Sequence, residues 1–381
     1  MLNFNEKIIF KKFLLNNTYF FLFIIINLSL IVWIIQAINY LDFVTDDGHG
    51  FKIYFYYTIL NLPKVFTRLV PFVFFISIFY TITKYEENNE LKLFWINGVD
   101  KVKFLNVLIK YTFLFFLAQT LLTALISPYT QDKARSYLKT SKLDFFPSLI
   151  QEKKFIDTVK NLTIFIEKKN MNNEFENVYI KDEEDDGNSS KVIYAEKGKL
   201  QYDSDGKSFI KLFNGKLLNI DKDKTIIFDF KETNFDLSNY VTKSTTFKKV
   251  QELNNLTLYK CLREFYFYGK SYQNQNVICN NDFMKEIKQE SYKRLIKPTY
   301  LFLIIILSSF LLIKSNESHG YNKLKYIIFF INILVLIISE LSISYSGKSD
   351  FNTLFLTTLP LTLFFFSYLI LKNKLSKKSY F

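Results

Sequence analysis

Residues 84–103 read KYEENNELKLFWINGVDKVK, and the reading of this stretch decides how the rest of the chain is arranged. It separates two apolar segments, 69–83 and 104–127, and is itself too polar to enter a bilayer. Leu91, Phe94, Trp95 and Val99 recur at helical spacing, which predicts a short amphipathic helix held at the membrane surface. Asn88 or Asn89 suits its start and Gly98 its end. Glu86, Glu87 and Glu90 crowd the first turn, where the helix dipole favours anions. A helix joined rigidly to two spans passes force from a soluble partner into the membrane. An interfacial anchor that only rests on lipid shows the same pattern.

The 381 residues are 49% hydrophobic and 18% aromatic, with 43 Phe. Charge-poor segments of transmembrane length flank a charged middle, which predicts an integral membrane protein with one sizeable soluble domain. Much of the net charge of +13 sits in short loops beside apolar spans, where it reports orientation and not nucleic-acid binding. His49 and His319 lie in different loops, which argues against a histidine metal site or a catalytic triad.

Residues 13–41 carry no charge and form a first span, too long for a cleaved signal peptide. Lys7, Lys11 and Lys12 precede it and Asp42, Asp46 and Asp47 follow, so the positive-inside rule places the N-terminus in the cytoplasm. A second span enters near Ile53 and carries Lys64 and Arg68 on one helix face near the outer interface. A third ends near Pro128. Three more begin near Pro298, Tyr326 and Phe351, followed by a Lys-rich tail. Both ends are therefore cytoplasmic, and the soluble domain lies outside between spans three and four.

That domain alternates apolar and polar residues in runs such as LTIFIEKK, KVIYAEKGKLQY, SFIKLFNGKLLNI and TIIFDFKE, broken by Asp, Asn and Gly turns. Such runs predict an antiparallel sheet protein, a sandwich or jelly roll. The acidic run 182–186 reads as a hairpin tip and lacks calcium-loop spacing. Cys261 and Cys279 leave a disulfide open. Lys293, Arg294 and Lys297 stand at the outer end of span four. With Lys64 and Arg68 they form a cationic rim suited to lipid phosphates, although ordinary snorkelling gives the same placement. Glu340, acidic within a span, lies near enough to pair with this rim.

One register along the chain is more specific than these patterns. Pro63, Pro71, Glu90, Gly98, Pro128 and Ala134-Arg135 follow one another at a fixed set of spacings, and ESYKRLIKP enters span four. This resembles the lipopolysaccharide-export permease family of the LptF/LptG type. The resemblance implies a membrane α-helical bundle of six transmembrane helices, plus a periplasmic all-β jelly-roll-like domain inserted between helices 3 and 4. Residues 1–130 would hold helices 1–3 with the coupling helix 84–103, residues 131–290 the jelly roll, and residues 291–381 helices 4–6. Glu90 takes the place of the coupling-helix glutamate that contacts the ATPase, and Leu91, Trp95 and Gly98 join it as the expected ATPase-coupling residues.

The resemblance also implies a non-catalytic permease subunit of an ABC-type exporter in the bacterial inner membrane. It would pair with its paralogue as an LptF/LptG heterodimer, with the span-four junction leaning to the LptF side. An LptB ATPase dimer would bind ATP and Mg, with no cofactor in this chain, and the bitopic protein LptC would bridge lipopolysaccharide onward. No phosphate-binding Gly-x-x-x-x-Gly-Lys-Ser/Thr loop occurs in the chain, so the motor is expected in a partner. Other classes make different demands. A permease for another lipid or for lipoprotein would usually carry four spans, a sensor or scaffold a cytoplasmic signalling domain, and an enzyme a nucleophile with a base.

Overall fold

Among the described residues of the computed structural model, helices long and apolar enough to cross a bilayer occur six times: Lys7–Asn39, Phe51–Glu87, Lys101–Leu138, Phe283–Ile313, Tyr321–Ser346 and Asp350–Ser376. The structure describes residues 4–41, 51–140, 152–159, 161–170, 174–183, 189–202, 208–221, 224–237, 248–268, 272–274, 277–279 and 281–377. His49 and the acidic residues 184–186 lie outside them. The chain forms two units. One comprises Met1–Trp33, Asn61–Gln131 and Lys249–Phe381, and the other Ile34–Leu60, which includes helix α2 (Phe51–Leu60), and Asp132–Lys248.

In the first unit, α1 (Phe4–Asn39), α3 (Leu62–Glu87), α5 (Lys101–Leu121), α9 (Tyr300–Ser309), α10 (Tyr321–Ser346) and α11 (Asp350–Lys377) share one apolar core. Its centre is α9, where Leu301, Ile304, Ile305 and Ile306 are fully buried, facing Phe74 and Ile78 of α3 and Leu105 and Leu108 of α5. The outward faces are apolar as well, with Phe113, Leu334, Phe355 and Phe366 all more than half exposed. An apolar outside is what a hydrocarbon solvent selects.

Prolines interrupt these helices, and at four of them, Pro71, Pro128, Pro298 and Pro360, the interruption is repaired in one way. A helical proline has no N–H, so the carbonyl four residues before it loses its partner. Pro71 frees the carbonyl of Thr67, which accepts from Gln119 Nε2 at 2.8 Å. Pro128 frees that of Ala124, which accepts from Asn255 Nδ2 at 2.7 Å. Pro298 frees that of Arg294, which accepts from Thr123 Oγ1 at 3.2 Å. Pro360 frees that of Leu356, which accepts from the Tyr292 hydroxyl at 3.2 Å. In a bilayer an orphaned carbonyl has no water to turn to, so a side chain from another element must supply the bond.

The helix of the third span continues past Pro128 into the polar sequence that follows. A π-helical turn, Leu122–Ile126, leads directly into α6 (Ser127–Thr140). Proline is tolerated in the first turn of a helix, so Pro128 bends the path without ending it. The stretch returning from the soluble middle also belongs to the helical unit. There α7 (Asn255–Tyr268) packs on α8 (Asn281–Leu295) through Leu258, Cys261, Met284 and Ile287. Cys261 is disulfide-bonded, which settles the question its sequence left open.

In the second unit six strands form one antiparallel sheet in the order of the sequence: β1 (Phe155–Val159), β2 (Leu162–Lys169), β3 (Glu174–Glu183), β4 (Ser189–Tyr202), β5 (Ser208–Asp221) and β6 (Lys224–Asp236). A jelly roll places strands in two sheets joined by Greek-key crossings. Among the described residues of this unit these six strands form a single meander, with β1 and β6 at its edges. One face carries the core, including Ile164, Ile166, Ile180, Ile193, Ile210 and Leu212.

The meander has a crease. The ladder runs Ile166↔Val178, Val178↔Ala195, Ala195↔Gly215 and Gly215↔Phe230, skips one level, and resumes at Lys168↔Glu176, Glu176↔Lys197, Lys197↔Phe213 and Phe213↔Glu232. At the skipped level Asn177 and Asn214 adopt φ of 51° and 48°. In β3 and β4 strict alternation is replaced by two successive residues that are not buried, Glu176 and Asn177 between buried Phe175 and Val178, and Glu196 and Lys197 between buried Ala195 and Gly198. The extra step returns the apolar face to the same side after the break, which lets a strand bend without turning its core residues to water. Gly215 belongs to this arrangement, because a Cβ there would strike the Tyr194 carbonyl and the Phe230 ring. Beyond the crease, the Lys199 ammonium 2.9 Å away holds the exposed Glu174 carboxyl below its usual range.

Candidate functional site

The segment between α3 and α5 forms the expected short helix, α4 (Glu90–Ile96). Asn89 precedes it with a left-handed φ of 60° and makes no side-chain cap bond, so the start is set by backbone shape. Its end is a full left-handed cap. The Val99 N–H reaches the Phe94 carbonyl and the Gly98 N–H reaches the Trp95 carbonyl, each at 3.1 Å, while Gly98 sits at φ +78°. Val99 and Phe94 are both buried, which supplies the hydrophobic contact that accompanies this motif. Asp100 then caps α5 by accepting from Val102 N–H at 3.0 Å.

The inward face of α4 is bound to the bundle by aromatic contacts. Leu91 is fully buried. The Phe94 ring lies 6.0 Å from Tyr85, and the Trp95 ring 5.7 Å from Phe104. Phe13 of α1 meets both Tyr85 and Phe104, at 4.9 and 5.1 Å. Asn16 donates to the Tyr85 hydroxyl at 2.6 Å, and the Lys101 ammonium stands 5.3 Å from the Trp95 ring. The ends of α3 and α5 thus hold one side of a two-turn helix, and Phe13 of α1 packs on the same two rings. A helix this short is not stable alone, so tertiary packing is what holds it.

The loop before α10 braces the same corner. Buried Glu86 accepts from Asn316 N–H at 3.0 Å, Glu87 pairs with Lys325 at 2.6 Å, and Lys92 pairs with Glu317 at 2.9 Å. Of the acidic residues in this stretch, Glu86 and Glu87 are therefore engaged. Glu90 has no ion-pair or hydrogen-bond partner among the described residues. The outward face of α4 presents Leu93, 56% exposed, and Ile96, 73% exposed. Sequence reasoning took Leu91 and Trp95 for the coupling face. The structure turns those two into the bundle and leaves Leu93 and Ile96 outside. The signal was present in the sequence as a second apolar pair three residues apart on the opposite side of the helix.

A second cluster gathers the cations from α3 and α8. Lys64 lies within Coulombic reach of Arg68, Lys293 and Lys249, and Lys297 within reach of Lys293 and Arg68. Its members do different things. Arg68 is exposed and, like the half-buried Lys64 ammonium, has no hydrogen-bond or ion-pair partner among the described residues. Lys293 is partly exposed and pairs with Glu290 at 2.9 Å. Lys297 is buried and paired with Glu340, the acidic residue of α10.

Arg294 departs from the expected rim. Its side chain is 1% exposed and is spent on the protein itself. It donates to Glu290 Oε1 at 3.0 Å, to the Leu253 carbonyl at 2.7 Å, to Asn255 Oδ1 at 2.8 Å and to the Gln251 carbonyl at 3.0 Å. Asn255 is the residue whose amide completes the break at Pro128. Arg294 is thus the centre of a crosslink among α8, the segment 251–255 and the π-helical turn. The five donors of a guanidinium suit it to that task. A phosphate has no access to it here, and Lys64, Arg68 and Lys293 remain the accessible cations of the cluster.

Comparison with known proteins matches this architecture. A protein of Rickettsia prowazekii (strain Madrid E), named uncharacterized protein RP871, is 26% identical over 194 residues, which is 51% of this chain and 53% of that protein. The chain thus aligns over about half the length of this relative. The family model for the lipopolysaccharide export system permease LptF/LptG matches residues 8–374, nearly the whole chain. With six spanning helices, an intervening sheet and a braced surface helix after the second span, the chain belongs to the LptF/LptG lipopolysaccharide export permease family.

Proposed function

We propose that this chain is one permease subunit of an ABC-type exporter that extracts lipopolysaccharide from the bacterial inner membrane and passes it to a periplasmic bridge. The observation that carries the coupling mechanism is the two-sidedness of α4: Leu91, Phe94 and Trp95 fasten it to the bundle, Leu93 and Ile96 remain outward, and half-buried Glu90 has no ion-pair or hydrogen-bond partner among the described residues. An LptB-type ATPase dimer, holding ATP and Mg, docks on that outward face. Motion of the ATPase enters the bundle through the aromatic contacts to Tyr85, Phe104 and Phe13. The motor is required by the cargo, since each CH₂ leaving the bilayer costs about 0.8 kcal/mol and a chain of a dozen carbons roughly 10 kcal/mol.

In this reading both termini and α4 are cytoplasmic, and the sheet unit is periplasmic. The partner across the bundle is the paralogous permease. Lys64, Arg68 and Lys293 meet the phosphates of the glycolipid, with Lys297 and Glu340 below them setting the field. The creased sheet, jelly-roll-like in its bend, receives acyl chains on its apolar face and hands them along an edge strand to an LptC-type bridge. Exposed Ile226, Ile227 and Phe228 on edge strand β6 support that route, because an uncovered apolar edge is a template for another chain's strand.

The test is a pair of photocrosslinks in cells. A crosslinker replacing Leu93 or Ile96 should capture an ATPase, and one replacing Leu91 should not. Glu90→Lys should abolish export while the spans remain inserted. Normal export by Glu90→Lys with undiminished ATPase capture would remove the assignment.

A further inference from the structure

The face of the sheet opposite the apolar core carries a feature the transport reading does not use. Phe155, Phe165, Tyr179, Tyr194, Lys216 and Asp229 are successive cross-strand partners, so they form one row across all six strands. The first four are aromatic and their rings are linked through Phe155 and Tyr179: Phe155 to Phe165 at 4.8 Å, Phe155 to Tyr179 at 6.2 Å and Tyr179 to Tyr194 at 5.0 Å between ring centroids. They are not covered, Phe155 being 66% and Tyr194 51% exposed. The row borders a groove of about 620 Å³ that runs beside the crease. Its other wall holds Asn177, Glu196 and Asn214, two of them in the left-handed backbone conformation.

We propose that this groove binds a saccharide, and that it engages the sugar portion of the glycolipid cargo. Sugar rings present C–H faces that stack on aromatic rings and hydroxyls that both donate and accept. The groove offers the complement. Tyr179 and Tyr194 form the platform, Glu196 and Asp229 accept, and Lys216 and Asn214 donate. Glu196, Lys216 and Asp229 make no ion pair among the described residues, so their hydrogen-bonding capacity is not consumed within the sheet. The two carboxylates oppose a phosphate-rich or nucleic-acid ligand, and they would be desolvated at a loss by an acyl chain. A peptide strand would seek the open edges, because backbone groups in mid-sheet are already paired. What remains compatible is a hydroxyl-rich, uncharged stretch of saccharide. The choice of cargo rests on the export reading, whereas the class of ligand rests on the groove alone.

The experiment uses the full chain in lipid nanodiscs and a lipopolysaccharide saccharide freed of acyl chains and phosphate. Saturation-transfer NMR should show ring-proton contacts to the protein, and titration calorimetry should give a measurable affinity. Tyr194→Ala should weaken it about tenfold, the loss of one stacking platform. Glu196→Gln with Asp229→Asn, which leaves the aromatic row intact, should weaken it without changing the thermal stability of the sheet. Absence of saturation transfer to the wild-type chain would overturn the proposal, as would binding unchanged in both variants. If intact lipopolysaccharide still crosslinks to the chain while the free saccharide does not bind, the groove assignment falls and the export reading stands.

Discussion

The helical unit and the sheet unit both interrupt their regular hydrogen bonding, and they repair the break by opposite means. In the helices the breaks at Pro71, Pro128, Pro298 and Pro360 free a carbonyl that is satisfied from far away: Gln119 serves Thr67, and Asn255 serves Ala124. In the sheet the break falls at one level in each of β2 to β6, and no distant side chain is recruited to the peptide groups of that level in the interactions described. The solvent explains the difference. Water can serve a strand's unpaired groups at the crease, where Glu196, Lys197 and Asn214 are exposed. A lipid-embedded helix has no such reserve, so its repair has to be built into the tertiary structure.

The comparison predicts unequal costs. Arg294→Ala should be the most damaging, at about 3–5 kcal/mol, because it leaves Glu290 without its guanidinium partner and two carbonyls and Asn255 without a donor. Thermal or denaturant unfolding in detergent should show it, and a loss below about 1 kcal/mol would mean that water reaches the cluster. Gln119→Leu keeps the volume and removes only the bond to Thr67, so about 1–3 kcal/mol is expected. If this variant is neutral, the proline breaks are not repaired in the way described. Asn214→Val tests the crease. It places a β-branched residue at φ 48°, for about 1–2 kcal/mol, while Asn214→Gly should be close to neutral. Equal effects of Val and Gly there would argue that the crease is not set by backbone conformation.

The coupling corner shows how far local pattern reached. The spacing of Leu91, Phe94, Trp95 and Val99 contains the helix, and Gly98 contains its end, because helical period and a left-handed cap are properties of neighbouring residues. Which of the three glutamates stays unpaired was not contained there. It depends on Asn316 and Lys325, more than two hundred residues away, engaging Glu86 and Glu87. The same limit applies to the cations. Lys64, Arg68, Lys293, Arg294 and Lys297 have one kind of charge and similar surroundings in sequence, yet Arg294 is a buried crosslink and Arg68 is exposed.

Hydropathy and spacing by themselves determined six spans, an intervening antiparallel sheet and a short surface helix, since each follows from what a bilayer, a pleat or a helical turn demands of adjacent residues. The polar positions in the strands also foretold, in hindsight, where alternation slips. Only the tertiary structure decided which polar side chains mend the proline breaks, which face of α4 is left for a partner, and which cations remain accessible. Those outcomes are set by contacts between residues distant in the chain, and a hydrogen bond across a bundle leaves no periodic trace in either segment that makes it.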